Sequence, residues 1–374
     1  MDRLKLIFFP IGKHDTAGNK RLRNLAKYLG KIENVKIYFY NPSDVKSERL
    51  SRVISGLYKI FLKFIDLFRI LFIIIREREK GSQNLLYFYE GRHLLFHRII
   101  LAKLLGYKIL IDIVENPNSL KYSKSIAQSI RTFYFLFLYR IFPFYASGLT
   151  VVSNLLYTKI KNDFKGRIPV FLLAVSFDHD DFDLEVKEYP YPTIFYGGSY
   201  GSNYDFDSLF QAFNKVNREF PQLRLCLSGN IEERMKKKIM ESIVNKNNVI
   251  FLGFLDEDVY FKTICSMSIL CMPRNNTIQA NAGFPFKLAE YFASGKPVIT
   301  SRSSDVSAYV DDGDAFIYEP GDALKIESLI RQVLNDYEAA LEVGSNGKLK
   351  AQKYFDSQNV AKEFYNFLIN LNSQ

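Results

Sequence analysis

The feature that most constrains this chain is an alternation of short apolar runs with helical stretches, repeated in two series. The first series is LKLIFF (4–9), VKIYFY (35–40), NLLYFYE (84–90), YKILIDIVE (107–115), GLTVVS (148–153) and PVFLLAV (169–175). After the acidic connector SFDHDDFDLEVKEYPYP, the second is TIFYGG (193–198), LRLCLSG (223–229), NVIFLGF (248–254), ILCMPR (269–274), PVITS (297–301) and AFIYEP (315–320). Runs so short and so uniformly apolar fit strands covered on both faces, and the helical stretches supply the crossovers that parallel strands require. The expected fold class is therefore α/β: two doubly wound parallel-sheet domains facing one another across a cleft. The first spans 1–180 and the second 187–356, and the final helix, 357–374, packs on either domain, a return to the first being one of the two placements.

Two domains also follow from length, because 374 residues exceed the usual extent of one hydrophobic core. With 48% apolar and 24% charged residues, the chain is neither disordered nor fibrous. The net charge of +10 asks for an anionic partner: phosphorylated substrates, an acidic membrane surface or nucleic acid. The basic residues are spread along the chain without a nucleic-acid motif, which sets the last aside. Three cysteines without a CxxC pair suit a reducing compartment, and the start MDRLKLIFFPIGKHD reads as a first strand rather than a signal peptide, so a cytoplasmic protein is expected. Residues 49–78 are apolar but interrupted by Arg52, Lys59, Lys63, Asp66 and Arg69, so no run reaches the roughly 20 residues of a membrane span. Two readings stand for it: a basic amphipathic helix at the headgroup level of a membrane, or one or two core helices.

Open parallel sheets bind ligands outside the carboxyl ends of their strands. In the second domain that rule selects the loops after Gly197, Gly229, Phe254 and Arg274. FYGGSYGSNYD places Gly197, Gly198 and Gly201 between a strand and a helix, where a diphosphate can approach backbone N–H groups; a ligand-free tight turn is the alternative. In GFPFKLAEYFASGKPVITS a helix from about Phe286 sets Lys287, Glu290 and Ser294 on one face and Leu288, Tyr291 and Phe292 on the other, with Gly295 at its end. A helix N-terminus, Lys287 and Arg274 would favour a diphosphate, and Glu290 would accept hydrogen bonds from ribose hydroxyls. The alternative is an exposed Lys–Glu pair on a surface helix.

The run P-x-K-x-x-E-Y-x-A-x-G-K-P-V-I, Pro285 to Ile299, resembles the donor-binding signature of retaining glycosyltransferases of the GT-B fold, glycosyltransferase family four (group 1). ASGLTVVSNLLYTKI, VSFDHDDF and GFLDEDVYFKTICSMSILCMPR resemble further segments of that family, so most of the chain is covered. The resemblance implies two Rossmann-like domains and transfer of a sugar from a nucleotide-diphosphate sugar to a glycan or lipid-diphosphate-linked acceptor, with retention. It implies that Glu290 binds the ribose, that Phe286 and Lys287, beside Pro285, lie by the diphosphate or donor sugar, and that Gly253, Phe254 and Leu255 border the base. It implies front-side attack in which the leaving phosphate helps take the acceptor's proton, with no metal and no cofactor beyond the co-substrate. Three positions depart from the family's pattern. Ala282 stands where a second glutamate is usual, Ser199, Tyr200, Ser202, Asn203 and Tyr204 fill the loop where an Arg and a Lys are common, and Val175 and Ser176 replace an Asn-Gly. Arg274 is the candidate to supply the missing positive charge.

In the first domain Gly12, Lys13, His14 and Arg21 follow the first strand and suit a phosphorylated acceptor or the donor diphosphate; a solvated basic helix start is the alternative. Glu115, with Asp112, ends a central strand, where a carboxylate can meet the acceptor hydroxyl or donor sugar, or cap the next helix. Asp178, His179, Asp180 and Asp181 have metal-ligand chemistry, but their place is the hinge of the resembled family and no metal is expected. Bacterial surface polysaccharide synthesis at the inner face of a membrane is the expected setting. The competing readings are a nucleotide-sugar epimerase of the same fold, which needs no acceptor, and a catalytically silent nucleotide-sugar-binding subunit, which Ala282 makes a candidate.

Overall fold

The computed structural model describes residues 3–10, 17–40, 68–89, 95–116 and 126–371. It divides into two compact units: Met1–Val152, Leu156–Leu173 and Ala361–Gln374 form the first, and Ser153–Leu155 with Ala174–Val360 form the second.

The first unit runs β1 (Arg3–Phe9), α1 (Ala17–Leu29), β2 (Val35–Phe39), α2 (residues 68–76), β3 (Ser82–Tyr89), α3 (Phe96–Leu104), β4 (Lys108–Ile113), α4 (Ile126–Arg140), α5 (Phe142–Tyr145), β5 (Gly148–Val151), α6 (Asn154–Phe164) and β6 (Val170–Leu172). All its strands are parallel, in the order β2-β1-β3-β4-β5-β6. The step from β1 to β2 runs one way along the sheet and all later steps run the other way. Right-handed crossovers therefore put α1 on one face and α2, α3, α4 and α6 on the opposite face. The central strands β1, β3, β4 and β5 are buried because both faces are covered, which is why they read as apolar runs, while the edge strands β2 and β6 are mostly half-buried.

One set of polar groups is buried within this sheet. Arg21 of α1 donates from Nη1 to Asp112 Oδ2 at 3.0 Å and from Nη2 to the Leu173 carbonyl at 3.0 Å. Thr150 Oγ1 donates to Asp112 Oδ1 at 2.6 Å, and Thr150 and Tyr87 share a further hydrogen bond of 2.8 Å. Burial disfavours the Arg21 charge, but Asp112 and the neighbouring tyrosines more than offset this, and its pKa lies above the ordinary value. Of the apolar segment 49–78, residues 49–67 lie outside the described residues, as do Gly12, Lys13 and His14.

The second unit runs β7 (Thr193–Gly197), α7 (Phe206–Glu219), β8 (Arg224–Ser228), α8 (Glu233–Ser242), β9 (Val249–Gly253), α9 (Glu257–Ser266), β10 (Ile269–Met272), α10 (Ile278–Ala282), α11 (Phe286–Ala293), β11 (Val298–Ser301), α12 (Val306–Tyr309), β12 (Phe316–Tyr318), α13 (Ala323–Asn335) and α14 (Tyr337–Phe355). Its parallel sheet has the order β12-β11-β10-β7-β8-β9. Helix α7 shows how sequence makes these elements: Phe206, Leu209, Phe210, Phe213 and Val216 form one buried stripe, and Asp205 caps the first turn by accepting from Ser208 N at 3.1 Å. The connector tightens into a 3-10 turn at His179–Phe182, where the Asp178 carboxylate accepts from Asp180 N at 3.3 Å. The last helix, α15 (Ser357–Asn370), starts in the second unit and continues in the first, where Phe364 and Phe367 pack on Phe171 and Phe364 meets the edge of Tyr87.

The expected strand runs match β1 to β12 within a few residues at each end. β6 is the shortest relative to its run, because Ala174 and Val175 already belong to the second unit. Among the described residues no helix is long and apolar enough to cross a membrane, and no cysteine is paired.

Candidate functional site

In the second unit the strand order reverses between β7 and β10: β7, β8 and β9 proceed outward on one side, and β10, β11 and β12 on the other. A doubly wound sheet opens its crevice at such a switch point, above the loops that leave the carboxyl ends of the two flanking strands. Here those loops begin at Gly197 and Pro273, and the glycine-rich turn, Arg274 and α11 converge on them.

The floor of the site is backbone. Gly198 N–H donates to the Ser228 carbonyl at 2.9 Å, and Gly229 N–H donates to the Gly253 carbonyl at 2.8 Å. Gly229 has φ +127°, and a Cβ there would stand 2.1 Å from the Gly198 carbonyl oxygen, so no other residue fits without moving the turn. Gly198 is bare for a different reason. A Cβ on it would come within 3.0 Å of Lys287 Cε and 2.9 Å of Tyr196 Oη, so its missing side chain is the channel along which Lys287 lies. Ser199 contributes its carbonyl, which accepts from Tyr196 Oη at 2.6 Å, while Tyr200 Oη donates to the Ser228 carbonyl at 3.2 Å. Tyr200 also stacks on Phe206 at 5.0 Å, and Tyr204 packs on Tyr196 at 5.4 Å. The tyrosines that stand in this loop fasten it as an aromatic cluster.

Helix α11 forms the wall. Leu288, Tyr291 and Phe292 are fully buried, and Lys287 and Glu290 are half-buried on the other side, as the spacing predicts. Pro285 precedes the first turn, where its carbonyl accepts from Leu288 N, and Phe286 opens the helix half-buried. The helix ends at Ser294, and Gly295, with φ +73°, makes the left-handed turn into Pro297 and β11. Tyr291 Oη accepts from Gly197 N–H at 2.9 Å, which ties the wall to the floor. Lys287 Nζ lies over the Tyr260 ring, 4.6 Å from its centroid. The Tyr260 phenol is buried; desolvation, then the charge of Glu290, holds its pKa well above the ordinary range. Its hydroxyl finds no hydrogen-bond partner of normal geometry even though the carboxylate is near. Lys287, Tyr260 and Glu290 thus form one cluster beside Gly197 and Gly198.

Beyond the floor lies an open concavity of about 380 Å³ bordered by Gly229, Gly253 and Phe254, with Phe251, Asn230, Ile231, Glu232 and Lys236 completing it. Phe254 is 59% exposed, a large aromatic face turned to solvent at the rim, and Leu255 follows half-buried. The sequence reading missed Asn230, Glu232 and Lys236. Their signal was present in the spacing: Glu232, which precedes the first turn of α8, and Lys236 stand four apart, shortly after Gly229, the glycine that follows β8.

Arg274 is placed otherwise than the sequence suggested. It is 6% exposed, and its guanidinium donates from Nε and Nη2 to the Ala280 carbonyl at 2.8 and 2.5 Å and from Nη2 to the Gly283 carbonyl at 2.8 Å. Burial pushes its pKa below the ordinary value, and among the described residues no carboxylate pairs with it. It braces the segment that delivers α11. Ala282 lies in that segment, 1% exposed, and its carbonyl accepts from Ser153 Oγ at 2.6 Å. In the first unit Arg21 is consumed by the buried network described above, and Glu115 is exposed at the bend after β4.

Residues 179–350 match the family model described as glycosyl transferases group 1. No curated protein matches the chain. Sucrose-phosphate synthase from Thermosynechococcus elongatus superposes with a TM-score of 0.71 at 15% identity, over 99% of this chain and 100% of that one. Anabaena HepE in complex with UDP-glucose gives 0.66 at 14% identity, over 98% of this chain and 99% of that one. A glycosyltransferase from Rickettsia africae gives 0.67 at 15%, over 99% and 98%. At such identities the likeness is one of fold.

Proposed function

We propose that the chain, whose residues 179–350 match the model of glycosyl transferases group 1 and whose fold is that of GT-B enzymes, is a glycosyltransferase that moves a sugar from a nucleotide-diphosphate sugar to a glycan or lipid-diphosphate-linked acceptor, with retention. The observation that carries this reading is the juxtaposition of the bare Gly197–Gly198 turn with Lys287 and Glu290. A diphosphate needs close backbone approach and a cation; a ribose needs an acceptor for its hydroxyls. Lys287 reaches the turn over Gly198 and Glu290 stands one helical turn further on. The aromatic-rimmed concavity at Gly253 and Phe254 suits the base, and UDP-glucose bound to a protein of like fold makes UDP-sugars the first donors to try.

In the transfer, the bond from the anomeric carbon to the diphosphate oxygen breaks and a bond to the acceptor oxygen forms on the same face. The leaving phosphate takes the acceptor proton. Negative charge grows on the diphosphate as the bond opens, and Lys287 with the backbone amides of the turn stabilises it where it grows. The role of Arg274 in this reading is to hold the segment before α11 in place. Glu115 is the proposed acceptor-side carboxylate of the first unit. A cytoplasmic enzyme building a bacterial surface polysaccharide is the setting that fits this chemistry.

The test is nucleotide diphosphate release from UDP-, GDP-, ADP- and CDP-sugars by the wild type and by Glu290→Ala. Losing charge-assisted hydrogen bonds to a ribose costs about 1.5–3 kcal/mol, so the variant should bind its donor roughly 10- to 150-fold more weakly. Unchanged donor affinity in Glu290→Ala would remove the reading. An epimerised sugar formed from donor alone would move the chain to the epimerase class, and donor binding without nucleotide release would mark it a silent subunit.

A further inference from the structure

The face of the first unit's sheet opposite α1 carries helices α2, α3 and α4, and each exposes large apolar side chains. On α2, Phe68, Phe72 and Ile75 are 55%, 58% and 57% exposed at spacings of four and three. On α3, Phe96, Ile100 and Leu104 are 55%, 45% and 79% exposed at spacings of four. Phe133 and Phe137 on α4 and Phe144 on α5 are 76%, 49% and 83% exposed. The same helices are amphipathic in an unusual sense: each already buries a second apolar side, such as Ile70, Ile73 and Ile74 on α2 and Ile99 and Ala102 on α3, so the exposed stripes are not displaced core.

The helices that carry the stripes are neighbours. Tyr107 Oη, just before β4, donates to the Ile74 carbonyl at 2.8 Å, and Arg78 Nε donates to the Leu105 carbonyl at 2.7 Å, which joins α2 to the end of α3. Phe96 N–H donates to Tyr134 Oη at 3.0 Å, which joins α3 to α4. Large apolar side chains exposed on three adjacent helices mark a docking surface.

Charge selects the occupant. The sequences FRILFIIIR, FHRIILAKL and IAQSIRTFYFLFLYR of α2, α3 and α4 contain six arginines and lysines counted together and no aspartate or glutamate. The first acidic residues after α2 are spoken for, Glu77 by Lys5 and Arg76 and Glu79 by Lys36. Arg98 is buried, but Arg69, Arg76, Lys103 and Arg140 are exposed beside the apolar side chains. Such a face fits an anionic bilayer surface, in which the rings and leucines enter the acyl boundary while Arg and Lys meet phosphate headgroups. A second copy of the same face would instead set cation against cation.

We propose that α2, α3 and α4–α5 of the first unit form a face that docks on anionic lipid bilayers. This stands apart from the donor site, and its test does not use activity. Full-length protein is floated with vesicles of phosphatidylcholine alone and of phosphatidylcholine with phosphatidylglycerol, at low and high salt. The wild type should float with the anionic vesicles and far less with the neutral ones. Phe72→Ser, Leu104→Ser and Phe133→Ser combined should lower partitioning at least tenfold, because each removes a ring or leucine from the acyl boundary. Lys103→Gln with Arg140→Gln should lower it by about fivefold per charge and only at low salt. Circular dichroism and the melting midpoint of each variant establish that it is folded. A folded wild type that stays with neither vesicle overturns the proposal. So does flotation of the triple variant equal to wild type, or a triple variant that instead converts a sedimenting dimer into a monomer.

Discussion

Near the ends of β3, β4 and β5 the first unit places Tyr87, Asp112 and Thr150, and Arg21 reaches in from α1 to close them into one buried network. At the ends of β7, β8 and β9 the second unit places Gly197–Gly198, Gly229 and Gly253, with backbone bonded to backbone and Lys287 laid across the opening. Both are Rossmann-like sheets with a switch point. One uses its charged side chains to hold the sheet together; the other removes side chains so that a ligand can approach. Charged residues in a sequence therefore do not by themselves locate a site: in this molecule the better marker is where Cβ atoms are missing.

The contrast can be broken most sharply in the first unit. Asp112→Ala leaves the Arg21 guanidinium buried without its partner, and urea unfolding should show a loss of about 3–5 kcal/mol. Donor affinity of the folded fraction should stay as in the wild type. A loss under 1 kcal/mol would show that the pair is not structural and would return Arg21 to the list of ligand contacts. In the second unit the converse holds: Gly229→Ala forces a side chain against the Gly198 carbonyl in a left-handed backbone. Nucleotide affinity should drop by about 3 kcal/mol, over a hundredfold, in isothermal titration. Retained affinity would mean the turn is not the phosphate floor.

A smaller effect separates two roles for Arg274. Were its charge what matters, lysine would serve; since its fork holds the Ala280 and Gly283 carbonyls together, Arg274→Lys should weaken donor binding by about tenfold, roughly 1.4 kcal/mol, nearly as much as Arg274→Ala. The smallest prediction concerns pH. Burial pushes the Tyr107 phenol up to about 12 in the folded protein, against an ordinary value of 10.0. The unfolded chain thus ionises first, so this group's contribution is intact below pH 10 and falls as pH rises toward 12. Between pH 9 and 11 the wild type should lose about 1 kcal/mol more stability than Tyr107→Phe, and parallel loss in both would show that the hydroxyl is not shielded.

Periodicity sufficed for the twelve strands because parallel strands are buried on both faces and have no polar side to blur their ends. Lys287, Glu290, Leu288, Tyr291 and Phe292 sorted correctly to opposite sides of α11 because helical spacing is rigid. Arg274 and Arg21 did not yield to such reading. A sequence shows that a cation is present but not which carbonyl or carboxylate 6 or 91 positions away has already engaged it. Nor did spacing disclose the exposed stripes of α3 and α4, since an apolar residue looks the same in sequence whether it faces a core or water. Glu232 and Lys236 are not legible as site residues because a Glu–Lys pair four apart reads as a solvated helix start, whereas the concavity draws its rim from that crossover.

The three residues Ser153–Leu155 carry a consequence for how such chains can recombine. They belong to the second unit although the chain on both sides belongs to the first, and they are held there by Ser153 Oγ on the Ala282 carbonyl and by Asn154 N–H on the Asp305 carboxylate. The polypeptide passes from one unit to the other at four points, after residues 152, 155, 173 and 360. A single genetic crossover in the connector would therefore not exchange one half for a foreign one. It would import a second unit whose Ala282 and Asp305 contacts depend on a tripeptide left behind, and a first unit whose last helix had been carried away. Exchange of the second unit among relatives, natural or engineered, has to move two separate pieces together, and exchange of the first unit three.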